Sequence, residues 1–233
     1  MQFPDPLIHG TLLRRYKRFL ADIKLDDGQE VTAHCANPGA MLGLKDAGAE
    51  VWLSPSRNPK RKLQYSWELM HADGGLVGIN TALPNGIAAE AIQADLIAPL
   101  HGYENLRREV KYGQNSRIDL LLEQAGRPIC YVEIKNVHLM RQPGLAEFPD
   151  SVTARGAKHL VELGDMVEAG HRAVMFYLVQ RTDCDRFTIA EDIDPTYARE
   201  LHRAMGRGVE AICYDCTIET TGIQVRRQIA LEF

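Results

Sequence analysis

The chain has 233 residues, 45% of them hydrophobic, with 27 basic against 31 acidic side chains and a net charge of -4. That is enough for one large domain or two modest ones with packed cores, and the mild acidity excludes a histone-like protein while leaving room for local basic patches. No apolar run approaches the roughly 20 residues of a membrane span, no basic-then-apolar leader opens the chain, and the five cysteines lack a disulfide framework, so a cytoplasmic protein with reduced thiols and no membrane contact is expected.

Residues 1–83 read as a β-rich unit. Strands are expected at 11–25, 30–35, 50–54, 62–71 and 76–80, divided by the turn signals Asp26-Asp27-Gly28, Asn37-Pro38-Gly39 and Asp73-Gly74-Gly75. Short strands in this number suggest a small barrel, with the OB type as one candidate. Two basic clusters lie here: Arg14, Arg15, Lys17 and Arg18, then Lys60, Arg61 and Lys62 following Arg57. Phosphate backbones are natural partners for both, and solvated surface is the plain alternative. Tyr16, Tyr65 and Trp67 are either platforms for bases or barrel core.

At Leu83-Pro84-Asn85-Gly86 the pattern changes, and 84–233 reads as a second unit. Apolar residues at helical spacing predict a helix over 87–100, with Asn85 in its cap region. Strands follow at 106–112, 116–122 and 129–137. Asp150 or Ser151 caps a helix reaching about Ala169, on which Arg155, Lys158, His159 and Glu162 share a polar face. A strand over 173–180, a helix over 197–205 and a strand over 210–216 complete an α/β pattern, a central sheet covered by helices.

The chemistry concentrates in two of these strands. Glu133 and Lys135 interrupt an apolar run, where charge is costly unless it is paired or binds metal. Side chains alternate along a strand, so the two share a face, and the turn through Gly126 brings the preceding strand alongside with Asp119. Two carboxylates with open coordination positions suit Mg²⁺ or Mn²⁺, and the lysine can position water and stabilise charge on phosphorus. Acid-x-Lys alone is a weak signal, since Asp22-Ile23-Lys24 and Glu109-Val110-Lys111 repeat it. Only the third copy has an upstream strand aspartate, a hairpin, a following helix with a cationic face and a strand ending at Gln180. Glu109 is either a further metal ligand or a surface partner of Lys111 or Arg108, and Glu90 on the first helix is a weaker candidate.

Other chemistries lack their context. There is no phosphate loop and no zinc-protease motif, and Gly206-Arg207-Gly208 follows a helix instead of opening one, so no small organic cofactor is expected. Cys213 and Cys216 form a CxxC without a second pair, which reads as structural thiols.

Five longer motifs carry a resemblance: His-Cys-Ala-Asn-Pro-Gly-Ala-Met at 34–41, Ser-Arg-Ile-Asp at 116–119, Val-Glu-Ile-Lys-Asn-Val at 132–137, Phe-Pro-Asp-Ser-Val-Thr-Ala-Arg-Gly-Ala-Lys-His-Leu at 148–160, and Val-Gln-Arg at 179–181. Through them the chain resembles the sugar fermentation stimulation protein A family over nearly its whole length. The resemblance implies an N-terminal OB-like β-barrel, a C-terminal PD-(D/E)xK nuclease-like domain, nonspecific DNA binding and a role in regulating sugar (maltose) metabolism genes. It carries Asp119, Glu133 and Lys135 onto the nuclease motif, with Gln180 as a supporting polar residue.

The expectation is therefore an α+β protein of two domains that binds DNA. Catalytic residues are Asp119, Glu133, Lys135 and Gln180; Asp119, Glu133 and Glu109 hold Mg²⁺; Arg14, Arg15, Lys17, Arg18, Lys60, Arg61, Lys62, Arg155, Lys158 and His159 meet DNA. Metal-dependent phosphodiester hydrolysis stands beside a non-catalytic DNA-binding regulator, and an enzyme acting on a small phosphorylated metabolite is the third reading. Oligomeric state leaves no mark in the sequence.

Overall fold

The computed structural model describes residues 1–233. Six strands form the first unit: β1 (Ile8–Tyr16), β2 (Leu20–Leu25), β3 (Glu30–His34), β4 (Glu50–Pro55), β5 (Tyr65–Ala72) and β6 (Gly75–Gly78). They lie in the order β3-β2-β1-β4-β5-β6, and a pairing of β3 with β5 closes five of them into a barrel. Closure removes exposed sheet edges. The single strand expected over 11–25 is a hairpin, because Lys17 and Arg18 take positive φ (45° and 64°) and reverse the chain. Trp67 settles as core: it is fully buried with Leu12, Ile23 and Leu53, and its indole N–H donates to the Leu69 carbonyl at 2.9 Å.

The division expected near residue 83 falls between the end of β6 and α1 (Pro84–Gln93). Residues 1–3 depart from it, since Gln2 bridges to Gly222 and Phe3 bonds to Thr221 in the second unit. Helix α1 is shorter than expected: Asp95 takes φ 54°, and a single 3-10 turn at Ala98–Leu100 follows. Leu83 occupies the N-cap without a side-chain hydrogen bond and Pro84 opens the helix, so Asn85 does not cap it.

The second unit is built on β7 (Asn105–Tyr112), β8 (Ser116–Glu123), β9 (Cys130–Val137), β12 (Arg172–Val179), β14 (Glu210–Glu219) and β15 (Gly222–Gln228), in the order β15-β14-β12-β9-β8-β7. Strands β9, β12 and β14 run parallel, with antiparallel hairpins at both ends of the sheet. Helix α1 covers one face, and α2 (Ala154–Glu168) and α3 (Pro195–Gly206) cover the other, so the central strands are apolar on both sides. Unanticipated strands β10 (Leu139–Gln142), β11 (Gly144–Phe148), β13 (Cys184–Ile189) and β16 (Ala230–Leu231) form a second small sheet. Thr153 caps α2, its Oγ1 accepting from the Gly156 N–H at 3.1 Å. Asp150, expected there, accepts instead from the Met41 N–H in the barrel loop at 2.9 Å. No helix is long and apolar enough to cross a membrane.

Candidate active site

The site begins with a failure of the sheet ladder. Strands β8 and β9 pair only from Leu120↔Val132 to Leu122↔Cys130, and beyond that point they separate. The next backbone N–H on β9 with no strand partner is that of Ile134, and it donates to Asp119 Oδ2 at 2.7 Å. A carboxylate thus occupies the gap between two strands and replaces a ladder bond. Its other oxygen accepts from Asn85 Nδ2 at 2.8 Å, which is where the freed side chain of the first helix has gone.

Glu133 lies beside this gap, only 2% exposed. Alternation puts Glu133 and Lys135 on one face, and Lys135 Nζ donates to Glu133 Oε1 at 2.7 Å. The same oxygen meets His159 Nδ1 from α2. Arg155 Nε donates to His159 Nε2 at 3.3 Å, so the ring offers its proton from Nδ1 to the carboxylate. Burial pushes the Glu133 carboxyl up, but the Lys135 charge and the His159 hydrogen bond outweigh it and hold the group below its ordinary value. Asp119 moves the other way: burial and the Glu133 charge raise it to about 6 against the Ile134 N–H, Lys135 and Asn85.

Three buried polar atoms around the pair have no hydrogen-bond partner: Glu133 Oε2, Glu162 Oε2 and the Tyr112 hydroxyl. Burial and the charges of Glu133, Glu162 and Asp119 drive the Tyr112 phenol upward. An orphaned carboxylate oxygen beside a second carboxylate of raised proton affinity is what a hard divalent cation would relieve. Asp119 and Glu133 therefore fit such an ion. No third His, Cys, Asp or Glu gathers with them into a ligand set, which leaves the rest of a shell to water and phosphate oxygens, as Mg²⁺ favours.

Several expected site residues are used differently. Glu109 is exposed and reaches Asn85 at 3.4 Å, not the carboxylate pair as a third ligand, because its positive φ (54°) turns it out of the β7 ladder. Glu90 pairs with the Met1 amino group at 2.7 Å. Gln180 follows β12 in register beyond Leu178↔Asn136, so it faces the side of the sheet opposite Glu133 and donates to Asn136 Oδ1 at 2.6 Å.

The expected DNA contacts divide in the same way. His159 is 4% exposed and belongs to the carboxylate site, and Lys158 Nζ is held by the Gln114 carbonyl at 2.6 Å. Arg155 is exposed on α2. Arg14 pairs with Asp22 at 2.8 Å over the Tyr16 ring, and Arg15 is pinned to the carbonyls of Asn37 and Gly39. Lys17 and Arg18 project from the hairpin tip and Lys60 and Lys62 from the β4–β5 loop, with Arg61 half-buried between them. Asn85, Tyr112 and Glu162 escaped the sequence reading as site residues. For Asn85 the available signal was a Pro in the first helical position, which frees the following side chain from capping.

A closed OB barrel joined to an α/β nuclease-like domain, with an Asp, Glu and Lys constellation where two strands part, defines a nuclease-fold protein of two domains. The family model for the SfsA N-terminal OB domain matches residues 13–79 and that for the sugar fermentation stimulation protein RE domain matches residues 82–222. The chain belongs to the sugar fermentation stimulation protein family. Its homologue in Rhodospirillum centenum is 62% identical over 231 residues, covering 99% of both chains. That of Paramagnetospirillum magneticum is 61% identical over 232 residues, covering 100% of this chain and 98% of the relative. The solved structure described as Pyrococcus furiosus SfsA in complex with Ca²⁺ aligns with a TM-score of 0.90 at 26% identity, covering 100% of this chain and 98% of that one.

Proposed function

We propose that this protein binds DNA without strict sequence preference and hydrolyses phosphodiester bonds with the help of a divalent cation, Mg²⁺ or Mn²⁺, held by Asp119 and Glu133. The observation that carries this reading is the buried, unpartnered Glu133 Oε2 next to Asp119 and Lys135 at the point where β8 and β9 separate. The Ca²⁺ named in the Pyrococcus furiosus relative supports it, since Ca²⁺ and Mg²⁺ both choose oxygen ligands.

A cation bound there supplies polarisation of the phosphate and acidification of water. The chain's own groups supply the rest. Ile134 N–H and Asn85 fix the two oxygens of Asp119, so it needs no reorganisation when substrate arrives. His159 and Lys135 orient Glu133 through a single oxygen and leave the other free. Lys135 is the cation nearest the carboxylates and the group placed to orient the attacking water and stabilise charge building on phosphorus. Incubating the pure protein with plasmid and single-stranded DNA in Mg²⁺ or Mn²⁺ tests this: cleavage by the wild type that Asp119→Asn abolishes is expected, and equal nicking by both rejects it.

A second reading, DNA binding without turnover in a regulator of sugar-metabolism genes, is favoured by the engagement of Glu133 inside the protein, by the Lys135 ammonium and a His159 hydrogen bond. It predicts the same DNA affinity in EDTA and in Mg²⁺, falling steeply with salt, and no product at any metal concentration.

A further inference from the structure

A cleft of about 790 Å³ lies on the side of β9 away from Glu133, between the barrel and the second unit. Both units build it. The barrel contributes Arg15 and Arg18 from the first hairpin and Lys45 from the loop after Asn37-Pro38-Gly39; the second unit contributes Asn136, His138 and the loop leading into α2. Three cationic side chains stand against one carboxylate, Asp150, and that carboxylate is already engaged by the Met41 N–H and His138 Nε2. Lys45 Nζ meets only the Ala40 carbonyl, at 3.1 Å, and Arg18 is exposed on a left-handed turn. The helix α2 opens into the cleft at Thr153, which adds the positive end of its dipole. The ligand that matches these walls is an anion rich in oxygen acceptors.

The shape narrows the class. Pockets of roughly 300–1,000 Å³ hold small ligands, so this one is large enough to take in an unpaired nucleotide. Beside Arg18 stands Phe19, 44% exposed and stacked on His34 with ring planes 23° apart. An exposed aromatic face next to cations is the arrangement on which unpaired bases stack.

We propose that this cleft holds a phosphate of an unpaired nucleic-acid strand, with Phe19 stacking on the adjoining base. The proposal rests on the reading of the protein as a DNA binder. Asn136, which lines the cleft and accepts from Gln180, stands on the strand β9 that carries Glu133 and Lys135, on its opposite face. The cleft thus gives the protein a preference for single strands or frayed ends.

Fluorescence anisotropy in EDTA, with Asp119→Asn as the background so that no strand is cut, measures affinity for an oligothymidylate and for a duplex of the same length. Arg18→Glu/Lys45→Glu is expected to weaken single-strand binding at least tenfold and to flatten the salt slope by about 1.4, near 0.7 for each lost phosphate contact. Phe19→Ala is expected to weaken it about fivefold or more, within the range of one lost base stack, and the duplex is expected to lose clearly less than the single strand in each variant. The neutral Arg18→Gln/Lys45→Gln pair, with its melting temperature recorded, must show an intermediate loss while remaining folded. Equal losses on both DNAs, or none, overturn the proposal while leaving DNA binding intact; absence of oligonucleotide binding by the background protein overturns both. If inorganic phosphate raises the melting temperature of the background protein but not of the charge-reversed variant, and oligonucleotide affinity is unchanged, the pocket belongs to a small phosphorylated molecule and the proposal falls.

Discussion

Asp119 and Asp150 are both largely buried carboxylates that accept a backbone N–H, at 2.7 and 2.9 Å, and their proton affinities move in opposite directions. Asp119 rises to about 6, driven by burial and by the Glu133 charge. Asp150 falls to about 2: burial raises it, but the hydrogen bond and charge of His138, the Met41 N–H and Ser151 prevail. The difference lies in the neighbours. Asp150 has a histidine among its donors and acts as a clamp between barrel and sheet, whereas Asp119, though both its oxygens accept hydrogen bonds, faces the charge of a second buried acid.

The comparison can be broken most severely through activity. Asp119→Asn, Glu133→Gln and Lys135→Ala are each expected to lower metal-dependent DNA cleavage by about a hundredfold or more, the scale of losing a preorganised electrostatic group, while Asp150→Asn leaves the chemical step in place; time courses on plasmid DNA check this. Next comes the clamp itself. A Cβ on Gly39 would run into the Asp150 carboxylate, so Gly39→Ala is expected to destabilise the fold by about 1–3 kcal/mol, as overpacking does, read by urea unfolding.

The pH dependence sharpens the contrast. A group whose folded pKa is raised stabilises the fold below its unfolded pKa and loses that contribution as pH rises through the folded value. Asp119 therefore weakens the metal-free protein above about pH 6, and Asp119→Asn is expected to be the more stable protein there by up to about 3 kcal/mol, at 1.36 per unit, with the gap closing towards pH 4. Asp150 has the opposite sign. Its contribution is present above about pH 4 and is lost as pH falls through about 2, so Asp150→Asn is expected to be less stable at pH 7 by about 2 kcal/mol, converging with wild type in acid. Adding Mg²⁺ in EDTA-free buffer should raise the wild-type melting temperature and leave that of Asp119→Asn nearly still. The smallest effect is at the surface: Arg14→Ala, which breaks an exposed pair with Asp22, is expected to change stability by less than about 1 kcal/mol.

Much of the architecture was legible because charge inside an apolar strand is conspicuous. Asp119, Glu133 and Lys135 stood out for that reason, and the alternation of β9 placed the last two on one face. Local pattern was weaker wherever a distant segment decided the outcome. His159 has the spacing of an exposed helical face, yet the helix rotates it onto Glu133 from 26 residues away. Gln180 sits at the expected end of its strand but with the parity that aims it at Asn136. Asp150 precedes a helix as a cap would, and a barrel loop 109 residues earlier claims it. The hairpin at Lys17 and Arg18 carries no Gly, Asn or Pro to announce the reversal, so β1 and β2 read as one strand. Strands β10, β11 and β13 are short, and β11 finds β13 about 40 residues away, which leaves little periodicity for a local reading to detect.

The bonds that join the two units also bear on how the chain assembles as it is made. Met41 waits for Asp150, Gly78 for the Gln180 carbonyl, and Asp73 for Arg181. Each contact links an early residue to one synthesised about 100 residues later, several seconds at ordinary translation rates. The barrel emerges first but lacks these three ties until the second unit has followed, so the cleft between the units is among the last features of the molecule to form.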